Sequence, residues 1–253
     1  MKYISLNLLA ALLVVQSSWS TDLNEAQKPN ADAFKAMHYG IFIHNVYRRS
    51  AAPEGVKYNN PDEFANLFDV KEFANQMEAI GVEYVFFTGW HAAMYCLGPN
   101  AAMDKWLPGH TTQRDLIGEL ADALNEKGIK LVIYAHPNDA HDLKPEEQAK
   151  VGYTKFDKAN PQPIPACNDF INEVYGEFAA RYGKKPNVLG FWWDSWRGNG
   201  GRVDAGRLRK TVLAAMPQAI ILSNNFDPQF IDFNSLELYG LSLIHISEPT
   251  RPY

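Results

Sequence analysis

Short runs of β-branched, aromatic and aliphatic residues alternate along the chain with longer segments whose apolar residues recur every three to four positions. The short runs predict strands at residues 40–46, 83–88, 130–135, 188–193 and 219–223. The longer segments predict helices between them, several with legible ends. Asp69 caps one, with Glu72 three residues on and Phe73, Ala74, Met77 and Ile80 as its inner stripe. Thr112 caps the next, with Asp115 in its first turn, Leu116, Leu120 and Leu124 inside and Gly128 as its stop. Asn168 begins a third, in which Ile171, Val174, Phe178 and Tyr182 repeat at helical spacing before Gly183. Asp204 begins a fourth, with Leu208, Val212 and Ala215 inside and Pro217 beyond its end.

A β-loop-α repeat fits either an open doubly wound sheet or a closed eight-stranded barrel. The turn after the first strand, Ile43-His44-Asn45-Val46-Tyr47, has none of the glycines of a dinucleotide cradle. The predicted class is therefore α/β, a (β/α)8 TIM-type barrel, incomplete, with about five βα units over residues 21–240. Five units leave two strand edges unpaired, so about three further units are expected beyond Gly240, and these units expressed alone are expected to aggregate. Residues 144–165, with four prolines, read as an elaborated loop over the barrel mouth.

The ends read differently. Residues 1–20 carry Lys2, an apolar run and small residues around Trp19, the pattern of a secretory signal peptide, so a secreted or periplasmic location is expected, with no membrane span. Residues 241–253 resemble a translated sequencing adapter and not a protein element. A net charge of −5 without any long like-charge run argues against a nucleic-acid partner. Cys96 and Cys167 are the only cysteines, so no disulfide framework is implied, and whether the two pair is open.

In a barrel, chemistry sits where strands end. The polar and aromatic residues there are His44 and Asn45, then Trp90 and His91, His136 with Asn138 and Asp139, Asp194, and finally Asn224 and Asn225. Asp194 stands in Phe191-Trp192-Trp193-Asp194-Ser195-Trp196, where a carboxylate beside aromatic faces suits a stacked sugar and an oxocarbenium-like centre.

These residues carry a resemblance to the α-L-fucosidase family. Gly40-Ile41-Phe42-Ile43-His44 resembles the family's opening strand. Residues 69–88 resemble its first helix and second strand, and Arg114-Asp115-Leu116 with Gly128-Ile129-Lys130 resembles its Arg-Asp-Leu helix and third strand. Trp193-Asp194 falls where the family carries its nucleophile, and residues 217–225 resemble the following strand. The chain departs after strand two: the family's Lys-His-His-Asp is here Trp90-His91-Ala92-Ala93, and the Trp that follows the first strand's His is Asn45. The resemblance implies an exported glycoside hydrolase that cleaves a terminal α-linked fucose or related sugar from a glycan or oligosaccharide by retaining double displacement. It makes Asp194 the nucleophile and His44 and His91 contacts to sugar hydroxyls; the strand-end reading adds Trp90, Trp193, His136 and Trp196 as substrate contacts, and no cofactor or metal is expected. The general acid/base is unassigned, Glu237 being the local alternative. Two rivals stay open: a metal-dependent barrel hydrolase using His44, His91, His136 and a carboxylate, and a non-catalytic carbohydrate-binding barrel suggested by Ala92 and Ala93.

Overall fold

A computed structural model of the chain describes residues 23–50, 55–137, 139–153, 162–194, 202–224 and 228–235. The predicted signal segment, the tail, Asn138, Trp196, Asn225 and Glu237 lie outside the described residues. Among the described residues six parallel strands form one sheet in sequential order: β1 (Gly40–Ile43), β2 (Tyr84–Trp90), β3 (Lys130–Ala135), β4 (Val188–Trp193), β5 (Ile220–Asn224) and β6 (Phe233–Ser235). This is one strand more than the sequence predicts, β6 being too short to mark itself by alternation. With helices between the strands, the sheet is the curled, incomplete β/α barrel expected.

The helices are α1 (Lys28–Ala36), α2 (Pro61–Asn66), α3 (Val70–Ala79), α4 (Ala101–Trp106), α5 (Leu116–Glu126), α6 (Pro145–Lys150), α7 (Pro165–Tyr182) and α8 (Ala205–Ala215). Asp69 caps α3 by accepting from the Lys71 and Glu72 amides, and Asp204 caps α8 by accepting from Arg207 N, both as predicted. Two predicted starts need correction. Asp115, not Thr112, caps α5: its carboxylate accepts from Gly118 N, while the Thr112 hydroxyl donates to Arg114 O. Helix α7 starts at Pro165, whose fixed φ suits the first turn. Asn168 lies inside that turn and ties it to α8, its Oδ1 accepting from Asp204 N at 2.7 Å. The segment read as a mouth loop contains α6, again started by a proline.

Side chains sort into two layers. Outside, Ile41, Val85, Phe87, Leu131, Ile133, Phe191 and Ile221 pack against the helices. Inside, Phe42, Tyr84, Phe86, Val132, Tyr134, Leu189, Trp192, Leu222 and Phe233 fill the barrel, and α1 closes its floor with Ala31 and Phe34. The Phe34 ring meets Tyr84 at 5.2 Å and Phe233 at 5.0 Å, both edge-on.

The alternation is broken twice, each time beside a glycine. In β2, Thr88 pairs Tyr134 while Trp90 pairs Ala135, so Gly89 is an extra residue. In β4, Val188 pairs Leu131 and Gly190 pairs Val132, so Leu189 is extra. Each bulge shifts the phase of the residues after it: Trp90 and Trp193 turn to the helices, and Trp192 turns inward. Cys96 and Cys167 are both free, buried thiols. Among the described residues no helix is long and apolar enough to cross a membrane.

Candidate active site

The strand ends deliver one polar group each to the barrel mouth. His44 follows β1, His91 follows β2, His136 follows β3, Asp194 follows β4 and Asn224 ends β5. The three histidine rings run in a row, His44 to His91 at 4.7 Å and His91 to His136 at 4.1 Å between centroids. Asp194 continues the row, its Oδ2 3.1 Å from His136 Nε2.

Asp194 is the best-held group. The Tyr134 hydroxyl donates to Oδ2, and Asn224 Nδ2 donates to Oδ1 at 2.6 Å. Its amide donates to Ala135 O at 3.2 Å, fixing the backbone against β3. The side chain is 15% exposed. Burial alone would raise its pKa, but the bonds from His136, Tyr134 and Asn224 and the charge of His136 overcome that and hold it below the usual carboxylate range. The floor beneath it is aromatic, with Trp192 meeting Tyr134 at 5.3 Å, Phe42 at 5.2 Å and Phe86 at 4.9 Å, tilted or edge-on.

Of the predicted sugar contacts, His44 and His91 stand at the mouth, His44 exposed and His91 half-buried. His136 is 2% exposed, beneath the surface and turned to Asp194, so it supports the carboxylate and offers no face to a ligand. Trp90 and Trp193 require correction, because both are fully buried on the helix side of the sheet. Trp90 packs edge-on against Tyr175 and Phe178 of α7, and Trp193 meets Tyr175. The bulges re-phased them, and alternation counted from the strand start would not reveal it. Sequence reasoning also missed Tyr134, although it stands two residues before His136 and therefore on the same face. Ala92, where the family carries a second His, is buried in the turn after β2, and the Ala93 carbonyl faces His110 Nδ1 at 3.2 Å.

The histidines have opposed electrostatics. Burial comes first for His91, followed by the positive His136, and together they lower its pKa to about 3; the same two causes take His44 to about 4. His136 goes the other way: burial lowers it, but Asp139 and Asp194 raise it above the ordinary value. A histidine kept neutral in the fold contributes nothing adverse above its unfolded pKa of about 6.5 and costs stability as pH falls below it. Unfolding free energy should therefore drop between pH 6.5 and 4, His91 supplying a slope of at most about 1.4 kcal/mol per pH unit. Denaturant melts at pH 7 and pH 5 should show a smaller loss in His91→Gln than in wild type, and an unaltered loss would reject this assignment.

Among the described residues no cluster of three or more His, Cys, Asp or Glu side chains is disposed to hold a metal ion. The histidine rings lie in a tilted row, and Nε2 of His136 is already turned to Tyr134 and Asp194.

The family model described as Alpha-L-fucosidase matches residues 9–199. No curated protein matches. Among solved structures, alpha-L-fucosidase isoenzyme 1 from Paenibacillus thiaminolyticus is similar at TM-score 0.54 and 20% identity, over 82% of this chain and 54% of that one. An alpha-L-fucosidase from Bacteroides thetaiotaomicron, trapped as a covalent intermediate, is similar at TM-score 0.50 and 20% identity, over 83% and 51%. The chain thus spans about half the length of these structures, and identity this low speaks to the shared barrel alone. The sequence match over residues 9–199 goes further, and by it the chain belongs to the α-L-fucosidase family.

Proposed function

We propose that the protein is a fucosidase-like glycoside hydrolase, with Asp194 as the nucleophile of a retaining double displacement. The observation that carries this reading is the Asp194 carboxylate, held by Tyr134, His136 and Asn224 at the mouth above an aromatic floor. A carboxylate so placed forms a bond to the anomeric carbon as the glycosidic bond breaks, and water then hydrolyses the glycosyl ester. Trapping of the Bacteroides relative as a covalent intermediate fits the same two-step course. Neutral His44 and His91 each offer one donor and one acceptor to sugar hydroxyls.

A second carboxyl group about 5 Å from the nucleophile is needed as acid and then base. Asp139 does not suit that role, since its side chain is 7% exposed and its Oδ1 receives His141. We propose that the acid/base comes from later in the barrel, beyond Gly240, with Glu237 as the local alternative. Ala92 and Ala93 remove polar partners that the family carries after strand two, so the substrate is proposed as a terminal α-linked fucose or a close stereochemical relative. Export through the N-terminal leader completes the proposal.

The test is turnover of an aryl α-glycoside panel by the intact protein as its gene encodes it, followed by labelling with an activated 2-fluoro fucosyl donor. The expected result is a fucoside preference and one label, on the peptide that contains Asp194. Sugar binding without turnover would favour the non-catalytic barrel, and a label elsewhere would move the nucleophile.

A further inference from the structure

His136 is gripped between two carboxylates. Nε2 lies 3.1 Å from Asp194 Oδ2 and 2.8 Å from the Tyr134 hydroxyl, and Nδ1, which makes no hydrogen bond, lies 3.5 Å from Asp139 Oδ2, at ion-pair distance. With a side chain 2% exposed, it cannot touch a sugar. We infer that Asp139 is a positioning residue for Asp194: it holds the His136 ring doubly protonated, with Nε2–H turned onto the nucleophile's Oδ2. The kinetic part of this inference rests on the glycosidase reading above, and the structural part does not.

Donor and acceptor bookkeeping leads to this arrangement. An ionised carboxylate only accepts, and Tyr134 has a single proton, which goes to Asp194 Oδ2. Nε2, facing both that oxygen and the tyrosine oxygen, must then carry a hydrogen. Nδ1 faces a second carboxylate, so a bare lone pair there would be repelled, and a hydrogen there is attracted. Both nitrogens protonated is the imidazolium.

Asp139 is itself tied down on its far side. Its Oδ1 accepts from His141 N at 3.1 Å, from Tyr153 Oη at 3.3 Å, and meets His141 Nδ1 at 2.5 Å, which leaves Oδ2 for His136. The contacts continue through His141 Nε2 to Asp142 Oδ1 at 3.2 Å, and Asp142 pairs Arg49 in the loop after β1. Other groups around His136 are Tyr134 on β3, Asp194 at the end of β4 and the His91 ring after β2, with His44 beyond it. The low pKa of Asp139 and the raised pKa of His136 fit the arrangement.

The first measurement uses the unaltered protein at pH 7: nitrogen chemical shifts of the His136 ring should be those of an imidazolium, and a neutral ring would overturn the inference. The second is Asp139→Asn, which keeps shape and removes charge. The His136 titration, followed by NMR without any substrate, should move down by at least one pH unit. An unmoved titration would overturn the inference, as would an equal shift in Tyr153→Phe, which loosens Oδ1 alone. The third is the pH profile of kcat/KM on an aryl fucoside. In Asp139→Asn its alkaline limb should move to lower pH by at least one unit, with kcat affected more than KM, whereas a uniform loss at every pH would indicate packing only. Should the unaltered protein hydrolyse no glycoside, the proposed function fails, and the two NMR measurements still decide the role of Asp139.

Discussion

Asp194→Gly is expected to lower kcat/KM on an aryl fucoside by about 10³-fold or more, which at about 1.4 kcal/mol per tenfold is a loss of about 4 kcal/mol in transition-state stabilisation. The size follows from what is removed. The carboxylate arrives already ionised, with a tyrosine hydroxyl, an imidazolium and an amide aimed at it, so no reorganisation is needed as positive charge grows on the sugar ring. Glycine leaves space where the carboxylate stood. Azide entering that space should restore turnover and give a β-configured glycosyl azide from an α-glycoside. Undiminished activity in the variant, or azide rescue with the α-configured product, would count against Asp194 as nucleophile.

Gly190→Ala is expected to have the largest effect on stability. A Cβ at this position would overlap the Ile220 carbonyl oxygen and lie 2.7 Å from Ile220 N, and both are backbone atoms of the paired strand β5. Backbone held in a sheet cannot step aside as a side chain can, so the cost is put at about 3 kcal/mol or more. Against a total stability of about 5–15 kcal/mol this is a large fraction, and Tm should fall by roughly 6–12 °C. Activity should fall further than stability, because β4 sets the aim of Asp194. Gly176→Ala is the control: inside α7, its Cβ would meet only Thr211 Cγ2, at 3.3 Å, and the change should stay within about 1 kcal/mol. Equal melting of the two variants would show that the bulge is not a constraint.

The β/α succession and most strand positions were legible because each strand is buried on both faces and reads as a continuous apolar run. Helix caps were legible at Asp69 and Asp204, whereas at α5 Thr112, three residues earlier, offered an equally good capping side chain and hid Asp115. The short α2 and α4 were not, being single turns or little more without a stripe of their own. Within the site, strand ends could be found but not the direction in which they point. Trp90 and Trp193 sit beside mouth residues in sequence and on the opposite side of the sheet in space. The difference is one extra residue per strand, and from sequence Gly89 and Gly190 could equally be ordinary small residues between large ones. Tyr134 was lost for a related reason, since it is indistinguishable by composition from the core aromatics around it.

Helix α1 has a consequence for the order in which the molecule is assembled. Its partners are remote: Gln27, just before it, donates to Ala219 O at 2.7 Å and to Asp232 Oδ2 at 2.9 Å, and Asn30 donates to Gln218 O at 2.8 Å. These contacts close loops of 192, 205 and 188 residues. The entropic cost of such closure grows slowly, by about 0.6 kcal/mol per doubling of length, so the seat is stable once reached. Reaching it is another matter, because contacts this distant in sequence form late. During synthesis α1 emerges early and can meet Tyr84 and Phe86 through Phe34, while its polar seat and the Phe233 ring follow much later. The floor of the barrel thus stays half-seated until the last of the described strands has emerged.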